Sequence, residues 1–466
     1  MTTNLTQASA AELGALYAAG SASPVETVKA VLARAEAIEP RLNALTLVDA
    51  DGALAAAQAS EQRWKAGVAH SPLDGVPVSI KELVRVAGWP APMGSKLTDK
   101  TPVSEDAPAV SRLREAGAVI FAQTTSPEYG YKGVTDSPLH GITRNPWNTD
   151  RTPGGSSGGA GAAVAAGLGP LAIGTDGGGS VRIPASQCGL VGLKATFGRV
   201  PAWPPSMHGD LGNTGPMTRT VLDNALMMNV LARPDPRDPY SLADDGVDYT
   251  AHLKSGAKGL KVGFILKYGD YYQDPSVAEK VTAAARQFEA LGCTVEEASP
   301  PFDHFEAARI WNIHWLTSIQ RLLQIFPEAR HGEFDPGLFD QARAGASFSL
   351  QDLVNAQVAR REVSHQWNLF FERYDLLISP TTNVQPWAVS KMAPDGPDGR
   401  PNFNWACTVV FNLTRHPAIS IPCGLGGENL PVGLQIVAGH YKDAQLLAAA
   451  AAYLDAAPFE FPVLPA

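Results

Sequence analysis

Two stretches decide how this sequence is read: Arg151-Thr152-Pro153-Gly154-Gly155-Ser156-Ser157-Gly158-Gly159 and Gly174-Thr175-Asp176-Gly177-Gly178-Gly179-Ser180. Three glycines before a serine let successive backbone N–H groups curl inward as an anion-binding nest, a path that Cβ atoms would obstruct. Such a nest suits a developing oxyanion, and a serine hydroxyl at its end supplies a nucleophile for acyl transfer. One Gly-rich loop alone reads as a plain turn. Two loops whose serines, Ser156 and Ser180, stand 24 positions apart call for chemistry.

Three other Gly-rich motifs fit less well. A phosphate loop needs G-x-x-x-x-G-K-[ST], and no Lys-Ser or Lys-Thr follows these glycines. A dinucleotide fingerprint needs G-x-G-x-x-G; Gly159 and Gly161 fit, but Val164 takes the third place and no apolar strand precedes the run. Gly154, Ser156 and Gly158 satisfy the G-x-S-x-G nucleophile elbow, yet the elbow requires an apolar strand immediately upstream. Asn145 to Pro153 is polar and broken by proline, so the elbow fails on context.

Outward from these loops the texture is that of an α/β protein. Short apolar runs at Val76–Ile80, Val119–Ala122 and Leu171–Ile173 alternate with helical stretches such as Ala107–Ala116. Further strands are predicted at Leu260–Ile265, Leu376–Ser379, Ala418–Pro422 and Val432–Val437, and helices at Pro275–Leu291 and Lys442–Leu454. The alternation points to a largely buried sheet. Near the start, Ser23 precedes Pro24 with Glu26 at the third helical position, and Val25, Val28, Leu32, Ala35 and Ile38 recur at helical spacing, a capped amphipathic helix ending near Pro40. A second, Ala-rich helix is predicted over Asp51–Ala66, so residues 1–70 read as a helical pair packed on the body formed by 71–466. Pro201–Asn213 and Pro386–Pro401 carry the densest turn chemistry and read as surface loops.

Composition narrows the partners. The 466 residues are 45% hydrophobic and 18% charged, enough for a large core. A net charge of -9 without blocks of like charge argues against nucleic acid or an anionic membrane as partner. Cys188, Cys293, Cys407 and Cys423 form no C-x-x-C pair and read as reduced thiols. Met1–Gly20 lacks a basic stretch followed by an apolar one, so a cytoplasmic address is expected. Gly154–Thr175 is uncharged and long enough to cross a bilayer, but Gly, Ala and Ser dominate it, as in a tightly packed interior. Among the ten histidines, His416 and His440 near strand ends are candidate bases for a different hydrolase, but no H-E-x-x-H or other ligand spacing suggests a metal. No cofactor is expected.

Taken together, the two Gly-Ser stretches and the following Val181-Arg182-Ile183-Pro184-Ala185 resemble the amidase signature family. The resemblance extends to Leu73-Asp74-Gly75-Val76-Pro77-Val78-Ser79-Ile80-Lys81-Glu82, to Cys188–Lys194, to Gly215–Thr220, and to Leu413–Pro422 and Leu430–Gln435. It spans roughly residues 10 to 455 and is weakest between about 225 and 370. It implies an α/β fold with a large mixed central sheet covered by helices on both faces. It also implies Ser180 as nucleophile, Ser156 as a bridging serine with a cis peptide, Lys81 as base, and backbone amides of Gly177, Gly178, Gly179 and Ser180 as the oxyanion hole. Thr125 departs from a frequent Asn, and Gly177 from a commonly larger residue.

A lysine can act as base only when neutral, which requires its pKa to fall from about 10.4 through burial and nearby dipoles. The apolar run Val76–Ile80 supplies that burial. The expected substrate is a small-molecule amide, cleaved with water, with a carbamate or urethane as the alternative. A glutamine-hydrolysing component of a tRNA-dependent amidotransferase is a third reading. A homodimer is compatible with the sequence. For the substrate pocket the sequence offers Thr125, Tyr129, Trp203 and Met207, together with Trp311 and Trp315, which stand at i and i+4 of a predicted helix.

Overall fold

The computed structural model describes residues 4–461. Eleven strands of the described residues form one mixed sheet. From one edge to the other its strands are Leu45–Val48, Val119–Thr124, Pro77–Lys81, Leu171–Asp176, Asn213–Thr218, Val191–Lys194, Ala418–Leu425, Pro431–Ala438, Leu376–Pro380, Lys261–Phe264 and Thr294–Glu297. Parallel pairing joins Val119–Thr124, Pro77–Lys81 and Leu171–Asp176 on one side, and Leu376–Pro380, Lys261–Phe264 and Thr294–Glu297 on the other. The strands between them are antiparallel. Helices cover the sheet, which is the α/β architecture that the alternation of apolar runs and helices implied.

The strand and helix positions read from apolar runs fall within a few residues of those observed, because each run is a strand buried on both faces or a helix with one buried stripe. The Pro24–Leu42 helix carries the full capping box, with Ser23 accepting from the Glu26 N–H and Glu26 reaching back to the Ser23 N–H. Four sheet strands escape that reading. Leu45–Val48 lies between the Pro24–Leu42 and Ala50–Ala66 helices and pairs with Val119–Thr124, and a further helix, Ala10–Ala18, precedes them, so among the described residues this region is three helices with an edge strand rather than a helical pair. Val191–Lys194 and Thr294–Glu297 are only four residues long.

Asn213–Thr218 is central and fully buried, yet its sequence, Asn213-Thr214-Gly215-Pro216-Met217-Thr218, has neither alternation nor an apolar run. Pro216 is tolerated because the strand on that side, Val191–Lys194, pairs only with Thr218 and Met217, and the ladder has stopped before the proline.

The uncharged Gly154–Thr175 segment is an interior. It breaks into the buried Gly158–Ala165 helix and the start of the Leu171–Asp176 strand. Among the described residues no helix is long and apolar enough to cross a membrane.

Candidate active site

The parallel neighbours Pro77–Lys81 and Leu171–Asp176 run in register, with Ile80 opposite Ile173, so both carboxyl ends open at the same edge of the sheet. Lys81 closes the first strand and Thr175-Asp176 the second. Two loops descend onto this edge. One carries Gly155, Ser156 and Ser157 into the Gly158–Ala165 helix, with the Gly155–Ser156 peptide cis. The other carries Gly177 to Ser180 toward the Arg182–Cys188 helix. The Ser157 N–H donates to the Ser180 carbonyl at 3.2 Å, which ties the loops together and brings Ser156 and Ser180 onto the wall of one cavity.

Lys81 is fully buried. Its Nζ lies 2.7 Å from Ser156 Oγ, 2.9 Å from Ser157 Oγ and 2.9 Å from Thr175 Oγ1. Burial pushes its pKa down to about 7 against the opposing pull of the Asp176 and Glu82 carboxylates. A neutral amine has two N–H groups and one lone pair, so with three hydroxyls around it one of them must donate. Ser157 is otherwise engaged, since its hydroxyl faces the Thr175 carbonyl at 3.2 Å and accepts from the Thr175 N–H. That leaves Ser156 or Thr175 as the donor. Gly130, at φ +71, backs Ser156 so closely that a Cβ there would lie 3.1 Å from Ser156 Oγ.

The glycine loop is clamped from beneath. Asp176 is buried, and although burial opposes its ionisation, Arg182 and Asn412 hold its carboxyl well below the usual range. Arg182 reaches it through Nε at 3.0 Å and Nη2 at 2.9 Å. Asp176 in turn accepts the Gly179 N–H at 2.7 Å and the Val181 N–H at 3.2 Å. The expectation that Gly179 offers its amide to an oxyanion therefore meets a correction, because that amide points at Asp176. The amides of Gly177, Gly178 and Ser180 donate to no protein acceptor among the described residues. On the outer side, Trp311 Nε1 donates to the Gly177 carbonyl at 3.0 Å, and Thr408 Oγ1 to the Gly178 carbonyl at 2.6 Å. A Cβ on Gly178 would lie 2.6 Å from the Trp311 ring, which is why that position is glycine.

A family model described as Amidase matches residues 26–447. The chain belongs to the amidase family. An acylamidase of Rhodococcus erythropolis is 37% identical over 456 residues, covering 96% of this chain and 95% of its own. A glutamyl-tRNA(Gln) amidotransferase chain of Myxococcus xanthus is 34% identical, over 96% and 97% of the two chains. Among solved structures, a bacterial aryl acylamidase of the amidase signature family superposes with a TM-score of 0.89 at 33% identity, over 97% and 96%. This chain is accordingly a hydrolase acting on amide carbon–nitrogen bonds.

In this amidase the cavity above Ser180 holds about 570 Å³. Of the residues expected at the substrate, Tyr129, Trp203, Met207 and Trp315 line it. Thr125 and Trp311 do not. Thr125 is buried with its hydroxyl 2.7 Å from Thr143 Oγ1 and 3.2 Å from the Ala44 carbonyl, pinning the N-terminal edge strand. Trp311 stacks on Trp315 at 4.7 Å and braces the glycine loop.

Pro201–Asn213, expected as a surface loop, is instead a half-buried strap that forms one wall of the cavity. Leu83, Met93, Ile325 and Phe326 also line the cavity and escape the sequence reading, as does His208. Each of the four apolar residues sits in an irregular stretch or a short helix, where no periodicity singles it out. His208 stacks on Trp315 at 3.6 Å, and burial pushes its pKa down to about 3. The nearby Tyr129 backbone opposes that shift by favouring the imidazolium, yet neither ring nitrogen completes a hydrogen bond. His416 and His440 stack on one another at 3.9 Å and line no part of the cavity.

Proposed function

We propose that this amidase hydrolyses neutral, largely apolar amides, aryl amides among them, through an acyl-enzyme on Ser180. The observation that carries the reading is the contact of a fully buried Lys81 with Ser156 at 2.7 Å, where Ser156 shares a predominantly apolar cavity with Ser180. Ser180 is a weak nucleophile until its proton is taken. Ser156, at once donor and acceptor, passes that proton to neutral Lys81 as Ser180 Oγ attacks the carbonyl carbon. The oxyanion is met by the amides of Gly177, Gly178 and Ser180, already oriented by the Asp176–Arg182 clamp below and by Trp311 and Thr408 outside. As the carbon–nitrogen bond breaks, the proton held at Lys81 returns through Ser156 to the leaving amine. Water then attacks the acyl-enzyme along the same proton route and releases the acid.

The substrate class follows from the cavity wall. Leu83, Met93, Trp203, Met207 and Phe326 present apolar or aromatic surface, and two of its charged members, Asp99 and Arg321, are solvent-exposed. The similarity to the acylamidase and to the aryl acylamidase structure supports the same class. The test has two parts. Fluorophosphonate labelling followed by peptide mass spectrometry should modify Ser180 alone. A series of an anilide, the matching aryl carbamate, a small aliphatic amide and glutamine should show aryl preference. Label on another serine would refute the nucleophile, and preference for glutamine would refute the apolar class in favour of a chemistry like that of the amidotransferases.

A further inference from the structure

A second cavity, of about 920 Å³, lies on the other side of the strap. The two cavities share Ala202, Pro205, Ser206, Gly212 and Asn213 as a partition, but the second touches none of Lys81, Ser156 or Ser180. Its chemistry is different. Arg360, Arg361 and Arg415 line it, against the carboxylates Asp210 and Asp238. Arg360 and Arg415 both bind Asp210 on the strap, Arg360 through Nη1 at 2.7 Å. Each keeps a buried N–H without an acceptor, Arg360 at Nη2 and Arg415 at Nε, and His314 Nε2 in the same wall is likewise unpartnered. Those atoms are closed off from solvent, so the donors open to a ligand are those of exposed Arg361 and of the part of the Arg415 side chain that faces solvent, and guanidinium donors gathered at one cavity favour an oxyanion.

Two further features point the same way. Arg415 sits at φ +68, in the left-handed region that favours glycine, so its guanidinium is held at this wall against backbone preference. Arg361 is exposed and makes no ion pair among the described residues. The rest of the wall includes Phe197 and Tyr240, whose rings lie 4.6 Å and 5.8 Å from the Arg415 guanidinium carbon. Aromatic surface beside the cations favours an organic anion over an inorganic one. The geometry points to a second, non-catalytic site for a small organic molecule bearing a carboxylate, seated between the strap and the Leu350–Arg373 helix and held by Arg361 and Arg415.

The experiment is isothermal titration of the full-length protein with benzoate and, separately, with inorganic phosphate at constant ionic strength. Saturable one-to-one binding of benzoate is expected, with phosphate weaker. Arg361→Gln and Arg415→Gln should each weaken benzoate by roughly tenfold, the size of a lost charge-assisted hydrogen bond. Arg361 is exposed and unpaired, so its variant should melt at the parent temperature, which separates lost binding from lost folding. Trp315→Ala, in the catalytic cavity, should leave the binding constant unchanged. Absence of saturable binding, tighter binding of phosphate than of benzoate, or insensitivity to both arginine variants would overturn the proposal. Loss of binding on Trp315→Ala would also overturn it, by moving the ligand to the catalytic cavity.

Discussion

Lys81 and Lys194 each close a strand of the same sheet, and each is fully buried. Burial pushes both amines down to about 7, in Lys194 with the help of Arg182. Their surroundings nevertheless differ. Lys81 faces three hydroxyls, one of which, Ser156, opens onto a cavity. Lys194 donates to the Ala195 carbonyl at 3.1 Å and lines neither cavity that flanks the strap. A lowered pKa is therefore a product of burial in both places, and in the mechanism we propose it serves catalysis only at Lys81, where hydroxyls lead from the amine toward the cavity. The pair can be used to break or sharpen that distinction.

The largest effect belongs to Lys81→Ala, expected to reduce kcat by at least ~10³-fold with little change in KM, the scale of a lost general base. Lys194→Met should leave kcat within about twofold, since the residue holds no reacting group. Similar losses at both lysines would erase the distinction. Next comes the serine pair at Lys81. Ser156→Ala should cost roughly 10²–10⁴-fold in kcat, because the relay is removed. Ser157→Ala should cost roughly tenfold, because it removes one hydrogen bond that orients the amine and no group on the cavity wall. The reverse order in steady-state kinetics would transfer the relay to Ser157.

A smaller effect is thermodynamic. Both amines are neutral above about pH 7 in the fold, whereas unfolded lysines stay protonated to about pH 10.4. Taken by themselves the two amines leave the unfolded chain with more protons between those limits and favour the fold increasingly as pH rises, while the four thiols that burial keeps protonated oppose them above about pH 8.5, where unfolded cysteines ionise. Lys194→Met should remove one of the two contributions and flatten the climb in melting temperature while activity persists. An equally steep climb in the parent and in Lys194→Met between pH 7 and about pH 8.5 would show that Lys194 is not neutral in the fold. The smallest effects lie on the strap. Trp203→Ala or Met207→Ala should raise KM for an anilide by a few-fold with kcat nearly unchanged, as expected for lost apolar contact. A change in kcat alone would place these side chains at the reacting atoms instead.

The legibility of the molecule divides along physical lines. Strands such as Leu376–Pro380 and Pro431–Ala438 are visible in the sequence because burial on both faces demands a run of apolar residues. Asn213–Thr218 is not, because its place in the sheet is set by tertiary pairing with Leu171–Asp176 rather than by its own pattern. Ser156 and Ser180 stand out in the sequence because glycine-rich loops leave a strong trace there, whereas Lys81 ends an apolar strand and is singled out only through the family resemblance. The clamp beneath them is not legible: Asn412 and Thr408 reach the glycine loop from more than 200 positions away. The substrate residues fare as their local order dictates. Trp311 and Trp315 share a helix, yet only Trp315 lines the cavity, because the Gly177 carbonyl captures the indole of Trp311.

The most direct test is the pH dependence of the fluorophosphonate labelling rate at Ser180 in the parent, Lys81→Ala and Lys194→Met proteins. The parent rate should rise through a single ionisation near pH 7 and then level off, matching the Lys81 amine. His208, in the same cavity, is pushed down to about 3 and cannot produce that step. Lys194→Met should reproduce the parent profile, and Lys81→Ala should label slowly with no inflection near neutrality. An inflection near pH 7 that survives Lys81→Ala, or disappears with Lys194→Met, would contradict the assignment of Lys81 as the base.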